Sequence, residues 1–273
     1  MKRILVPTDF SQQAEQALKV AVQIASQNDS EIFLHHSMEM PLHLANSNTG
    51  ELPEALFFIK LAEKEFEELF KKPYLKEVKI QESIGHGEIY EDIQTSVKNN
   101  NIDLIVMGSH GASGFREMFI GSNTEKVVRT SKIPVLVIKN EHRDFKVKDF
   151  VFATDFSKEC KKPFQQALQF AQGLDAHLHL LYVNTPTGFK TSSEAKQMMN
   201  DFTKGVDPER ISLHVYNETA VEKGILEFAK EHNMQLIGMS THGRKGIAHF
   251  FNGSISEDLV NHANRPVITF RIS

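Results

Sequence analysis

The segment Ile4-Leu5-Val6-Pro7-Thr8-Asp9-Phe10-Ser11 returns as Phe150-Val151-Phe152-Ala153-Thr154-Asp155-Phe156-Ser157, 146 positions later. Ser109-His110-Gly111 returns as Thr241-His242-Gly243, Gly121-Ser122 as Gly253-Ser254, and Pro134-Val135 as Pro266-Val267, each 132 positions later. Four landmarks in one order mean two copies of one domain, the second shorter by 146 − 132 = 14 residues between its first and second landmarks. The break falls near Asn140 to Lys148, where Glu141-His142-Arg143-Asp144 interrupts the apolar pattern. That places the domains at 1–140 and 147–273. A chain of 273 residues is too long for one ordinary domain and comfortable for two.

Each copy alternates strand and helix signals. In the first, Arg3 to Thr8 is a short β-branched run. Gln12 to Gln27 then carries Ala14, Ala17, Leu18, Ala21, Val22 and Ala25 at helical spacing, with Ser11 as N-cap. Strands follow at Glu31–Ser37, Glu77–Ser83 (an edge-like or half-covered one), Asp103–Met107 and Val135–Ile138. Helices are expected at Pro53–Phe70, with Leu56, Ile59, Phe66 and Leu69 on its apolar face, and at Glu88–Asn99 and Thr124–Ser131. The second copy reads in the same order, with strands near Val151, 177–183, 210–216, 235–239 and 267–271. Its helices fall at 159–173, 193–203, 219–231 and 255–262. The missing residues lie between its second and third strands, where the first copy has the longer Met40–Leu52 loop. The expected fold class is α/β: two tandem doubly wound, Rossmann-like domains, each a five-stranded parallel sheet with helices on both faces.

Composition removes several functions. Lys and Arg number 15 against 19 Asp and Glu up to Asn140, and 16 against 16 after it, for a net charge of −4. No basic field recruits nucleic acid or an anionic membrane. A lone cysteine, Cys160, makes neither an internal disulfide nor a zinc site, which fits a reduced, cytoplasmic chain. The apolar run after Met1-Lys2-Arg3 is too short for a signal-peptide core, and no stretch reaches membrane-spanning length.

In an open parallel sheet a ligand sits beyond the carboxyl ends of the strands, where the strand order reverses. Two pieces of sequence stand at such ends. Pro7-Thr8-Asp9 leaves the first strand, and Gly108-Ser109-His110-Gly111 leaves the fourth, nine residues before Gly121-Ser122 opens a helix. The second run suits a phosphate chain. Glycines allow close backbone approach, and the helix start offers unpaired N–H groups, the positive end of its dipole and the Ser122 hydroxyl. Asp9 repels phosphate but accepts hydrogen bonds from a base or ribose. On spacing alone it serves equally well as a helix cap, and Gly-Ser before a helix is also ordinary capping chemistry.

The combination resembles a tandem universal stress protein over nearly the whole chain. Gly108, Gly111, Gly121 and Ser122 match the Gly-x2-Gly-x9-Gly-Ser/Thr pattern of that family's nucleotide-binding subgroup. The resemblance implies ATP, or ADP or AMP, as ligand, accompanied by magnesium or manganese. It implies Pro7, Thr8 and Asp9 beside the adenosine, His36 against the base, Met107 and Gly108 along the nucleoside, and Gly111, Gly121, Ser122 and Asn123 on the phosphates. His36 departs from the apolar residue usual there. In the second copy Ala153, Thr154, Asp155, Val183, Met239, Gly243, Gly253 and Ser254 are the corresponding residues. Ala153 replaces Pro7 and Ser240 replaces the first glycine. A side chain at 240 occupies space the ligand needs, so the second site is expected to be weaker or empty. A serine hydroxyl donating to a phosphate is the opposite possibility.

Other reactive residues carry less. His110 and His242 lie in the glycine loop with no nucleophile, base and orienter around them, so a structural role is expected. His35, His36 and His43 resemble a metal set only loosely, because adjacent strand residues face opposite ways. Cys160 sits beside Lys161, a setting that favours thiolate, but a buried inert thiol is the default. The leading reading is therefore a non-catalytic ATP-binding stress-response protein whose ligand stabilises one conformation or assembly. The alternative is an interaction scaffold with vestigial motifs; the resemblance implies that the two domains pair through their last strands, Pro134–Ile138 and Pro266–Phe270, as an internal pseudo-dimer able to dimerise again. An adenylate-transferring enzyme lacks its pyrophosphate loop after strand one. A dehydrogenase lacks Gly-x-Gly-x-x-Gly there.

Overall fold

The structure is a computed structural model, and it describes residues 1–38, 52–111, 120–242 and 259–272. The first domain comprises β1 (Arg3–Pro7), α1 (Gln12–Asn28), β2 (Glu31–Met38), α2 (Leu52–Phe70), β3 (Lys79–His86), α3 (Ile89–Asn99), β4 (Leu104–Gly108), α4 (Ser122–Thr130) and β5 (Val135–Ile138). The second repeats the order with β6 (Asp149–Ala153), α5 (Lys161–Gly173), β7 (His177–Asn184), α6 (Ser192–Phe202), β8 (Ile211–Asn217), α7 (Val221–Glu231), β9 (Leu236–His242) and β10 (Val267–Ile272). Residues 259–262 are helical.

All ten strands form one sheet in the order β3-β2-β1-β4-β5-β10-β9-β6-β7-β8. Within each domain every pairing is parallel, and the doubly wound arrangement is the expected one. The domains join where β5 and β10 run antiparallel, Leu136 opposite Ile268. The seam thus uses the two segments that the family resemblance implied.

Strand alternation builds two core layers. Ile4 and Val6 belong to the layer that holds α1, α2, α5 and α6, whereas Leu5 belongs to the layer that holds α3, α4, α7 and the helical residues 259–262. Both faces of β1 and β4 are covered, so Ile4, Leu5 and Val6 and every residue of β4 are buried, as a parallel sheet requires. The third strand begins two residues later than expected and lies at the open edge of the sheet, where its mixed polarity belongs. On α2, Phe66 and Leu69 are buried as the spacing predicts, but Leu56 is half exposed beside Phe57 and Leu61. The expected loop 40–52 lies almost wholly outside the described residues, as does the start of the expected helix 255–262. No helix among the described residues is long and apolar enough to cross a membrane.

The repeated Thr-Asp-Phe-Ser is first a folding device. The Thr8 hydroxyl accepts from Phe10 N–H (3.0 Å) and the Asp9 carboxylate from Ser11 N–H (3.0 Å). These bonds hold Phe10 at φ 60°, a left-handed conformation unusual for a bulky residue. Thr154, Asp155 and Phe156 repeat the pattern at 3.1 and 2.9 Å, with Phe156 also at φ 60°.

The helices that follow differ. Ser11 caps α1, accepting from Ala14 N–H at 3.2 Å. Ser157 makes no capping bond, and the chain forms a 3-10 turn over Lys158–Cys160 before entering α5 at Lys161, two residues after the expected start. Ser11→Ala should therefore cost about 1 kcal/mol in urea unfolding. Ser157→Ala should cost less than half as much, and equal losses would contradict this difference.

Candidate functional site

The strand order of the first domain reverses between β1 and β4, and a cavity of about 340 Å³ opens there. Its wall holds Pro7, Thr8 and Asp9 from the end of β1, Met107 and Gly108 from the end of β4, and Gly111, Gly121, Ser122 and Asn123 around the start of α4. Nine of the ten residues singled out in this domain thus converge.

The exception is His36. Along β2, neighbouring side chains point to opposite faces. The residue lining the cavity is His35, together with Ser37. His36 turns away, donating from Nδ1 to the Thr8 carbonyl (2.8 Å) and packing its ring 4.7 Å from that of Phe10. His35 is buried, with Ser83 Oγ 2.7 Å from Nδ1 and Asp92 Oδ2 2.8 Å from Nε2. Both ring nitrogens are occupied, so His35 offers the cavity a fixed ring surface. Nothing in the sequence distinguished the two adjacent histidines except their parity relative to Pro7, which pairs with His35. Ala14, Ile89, Ile93, His110 and Thr124 complete the wall. Ile89 and Ile93 stand four apart in α3, a spacing that marks one helix face.

Packing fixes the glycine loop. Gly121 N–H donates to Ser109 O (2.8 Å) and Ser109 N–H to Ile138 O (2.9 Å), while Thr124 Oγ1 donates to Gly108 O (2.9 Å). A Cβ on Gly108 would stand 2.9 Å from the Gln13 carbonyl oxygen in the first turn of α1, so β4 passes too close to that helix for a side chain. A Cβ on Gly111 would stand 2.5 Å from Asp9 Oδ2. The carboxylate and the glycine loop are therefore immediate neighbours, closer than a base-to-phosphate span places them. At the N-terminus of α4 the N-cap is Gly121, which has no side chain to cap with, and Ser122, Asn123 and Thr124 of the first turn line the cavity.

His110 Nδ1 lies 2.9 Å from Ser109 Oγ. Burial, and then the charge of Lys139, lowers its pKa below the usual histidine value and keeps the ring neutral. Among the described residues, no three His, Cys, Asp or Glu side chains gather as a metal set, and His43 lies outside those residues.

In the second domain two buried side chains take the places of two small cavity-lining residues. Cys160 stands where the first domain has Ala14, and Ser240 where it has Gly108, both fully buried. The Cys160 sulfur lies 3.4 Å from Ser240 Oγ and 3.2 Å from Asp155 Oδ1. Burial, reinforced by the Asp155 charge, raises the thiol's pKa, which makes it an inert packing group and not an activated thiolate. Ala153, Thr154 and Met239 are buried around it. Val183 corresponds by register to Ser37 and packs where a side chain on Gly224 of α7 would stand. Gly243, Gly253 and Ser254 lie outside the described residues.

The universal stress protein family profile matches residues 1–139 and 146–271. A universal stress protein of Methanocaldococcus jannaschii is 29% identical over 157 residues, covering 52% of this chain and 96% of that protein. A second, from Bacillus subtilis, is 30% identical over 145 residues, covering 50% of this chain and 98% of its own. A crystal structure of a universal stress protein from Archaeoglobus fulgidus superimposes with a TM-score of 0.78 at 23% identity, covering 99% of this chain and 98% of that one. Two consecutive matches and a shared two-domain fold lead to one conclusion: this chain belongs to the universal stress protein family, with two copies of the family's domain in tandem.

Proposed function

We propose that the first domain binds one adenine nucleotide, ATP or its di- or monophosphate, and that the protein acts as a nucleotide-responsive stress or signalling factor without rapid turnover. The observation that carries this reading is the uncapped N-terminus of α4 opening into the cavity between Asp9 and the glycine loop. Unpaired N–H groups and the Ser122 hydroxyl are donors of the kind a phosphate needs. Asp9, Thr8 and the fixed ring of His35 supply a polar and flat surface for a nucleoside. Magnesium or manganese arrives with the phosphates as part of the ligand in this scheme. Binding only to the folded, closed form stabilises it in proportion to occupancy, so ligand concentration becomes a conformational signal.

The test is acid extraction of nucleotide from freshly purified protein, quantified per chain, with Gly121→Val in parallel. About one nucleotide per chain, lost in the variant, is expected. None from either, and no binding when ATP and magnesium are restored, would sink the reading. The antiparallel seam between β5 and β10 then favours an interaction scaffold. Fast metal-dependent turnover abolished by one acidic or histidine substitution would make the protein an enzyme instead.

A further inference from the structure

The residue before the glycine that opens α4 is held from the other domain. Ile120 is buried, and its backbone N–H donates to Oδ1 of Asn261 at 2.7 Å. Asn261 belongs to the helical residues 259–262 of the second domain, 141 positions away. Two more bonds fasten that turn to the first domain. The Lys139 ammonium donates to the Asn261 carbonyl, and Asn140 Nδ2 donates to the Asn264 carbonyl at 3.1 Å.

Pseudo-symmetry separates what is shared from what is particular. Arg271 lies 132 positions after Lys139, the offset of the glycine loops, and donates across the seam to the Thr130 carbonyl, one residue beyond the counterpart of Asn261. That backbone contact is therefore matched to within one residue. The side-chain contact is not. The residue 132 positions before Asn261 is Arg129, ion-paired with Glu125. A guanidinium has donors only and cannot accept an amide N–H. The Arg129 side chain therefore cannot return to the second domain the acceptor contact that Asn261 gives to the first.

We propose that Asn261 is a positioning residue for the phosphate end of the first-domain site. This rests on the nucleotide reading above and adds a division of labour, with the second domain serving as a fixed clamp on the first. The clamp acts next to Gly121, so it orients the first-turn N–H groups of α4. The Asp9 and His35 side of the cavity does not depend on it. The ligand consequence is selective: phosphates should sense the clamp, and a bare nucleoside should not.

The experiment titrates ATP with magnesium, and adenosine separately, into the full chain, Asn261→Ala and Asn261→Asp, and follows amide hydrogen exchange at Ile120. Losing one buried hydrogen bond predicts an ATP Kd raised about 3- to 10-fold in Asn261→Ala. Adenosine affinity should stay within about twofold, and exchange at Ile120 should be faster. Asn261→Asp keeps an acceptor oxygen and should keep that exchange slow. Unchanged ATP affinity in Asn261→Ala would overturn the proposal, as would equal weakening of ATP and adenosine, the mark of general loosening. If the unmodified chain binds neither ligand, the nucleotide reading itself falls, and the clamp loses its ligand role with it.

Discussion

Gly108→Ser, which writes the second domain's residue into the first, is expected to weaken nucleotide binding there at least about tenfold and to destabilise the fold. The new Cβ would meet the Gln13 carbonyl at 2.9 Å, backbone against backbone, where no rotamer relieves the contact. The second domain accommodates a serine at this place alongside a first helical turn of 3-10 form. The first domain has instead committed Ser11 to an α-helical cap. Overpacking of this kind costs about 1–3 kcal/mol. Displacing the first turn of α1 shifts Ala14 and the Asp9 loop that line the cavity. Isothermal titration should give an ATP Kd raised at least about tenfold, that is, at least about 1.4 kcal/mol. Urea unfolding should report the stability loss. The reciprocal double variant, Cys160→Ala with Ser240→Gly, removes the two buried side chains that replace Ala14 and Gly108 and should enlarge the second crevice. Wild-type ATP affinity in Gly108→Ser would show that this glycine is not what separates the two domains.

The second large effect is on acid stability. His179 Nδ1 and His214 Nε2 are 3.0 Å apart, and His179 Nε2 donates to Asp149 Oδ1 at 3.0 Å. The shared bond needs one unprotonated nitrogen, so it is lost once both rings are protonated. Burial, then the neighbouring imidazoles of His179, His232 and His177, holds His214 down to about 4. Burial is also the leading cause that lowers His179. The folded value lies below the unfolded one, so the unfolded chain takes up the proton first. Stability from this pair is complete above about pH 6.5 and lost as pH falls toward 4. For a half-open site the loss should be about 1–2 kcal/mol. Urea midpoints measured from pH 7 to 4 should fall for the natural chain and flatten over pH 6.5–4.5 in His214→Leu. An unchanged slope in that variant would assign the acid sensitivity elsewhere.

How far the sequence reached can be judged residue by residue. The repeat carried most of the architecture, because two copies of a βα pattern leave few topologies, while the β5–β10 seam came from the family resemblance. Gly108, Gly111, Gly121 and Ser122 were legible because a phosphate-sized approach requires a missing side chain or a helix start at those points. His35 was not separable from His36, since a one-residue choice of strand phase decides which face a side chain takes. The change in the second crevice was half legible. Ser240 announced a side chain, but Cys160 became its partner only once α5 and β9 were placed together. The Asn261 contact had no local signal at all. It joins residues 141 positions apart, across an antiparallel junction whose register no periodicity encodes.

The continuous ten-stranded sheet has a further consequence. Had two identical chains met across the same seam, a substitution at position 108 would have entered both crevices together, and an asparagine clamp on one side would have faced an asparagine clamp on the other. Fusing the copies removes that constraint. Gly108 and Ser240, Ala14 and Cys160, Arg129 and Asn261 are free to differ, so one half can keep a cavity while the other becomes its foundation. Covalent linkage also sets the effective concentration of the supporting half independently of expression level, and no dilution separates the two.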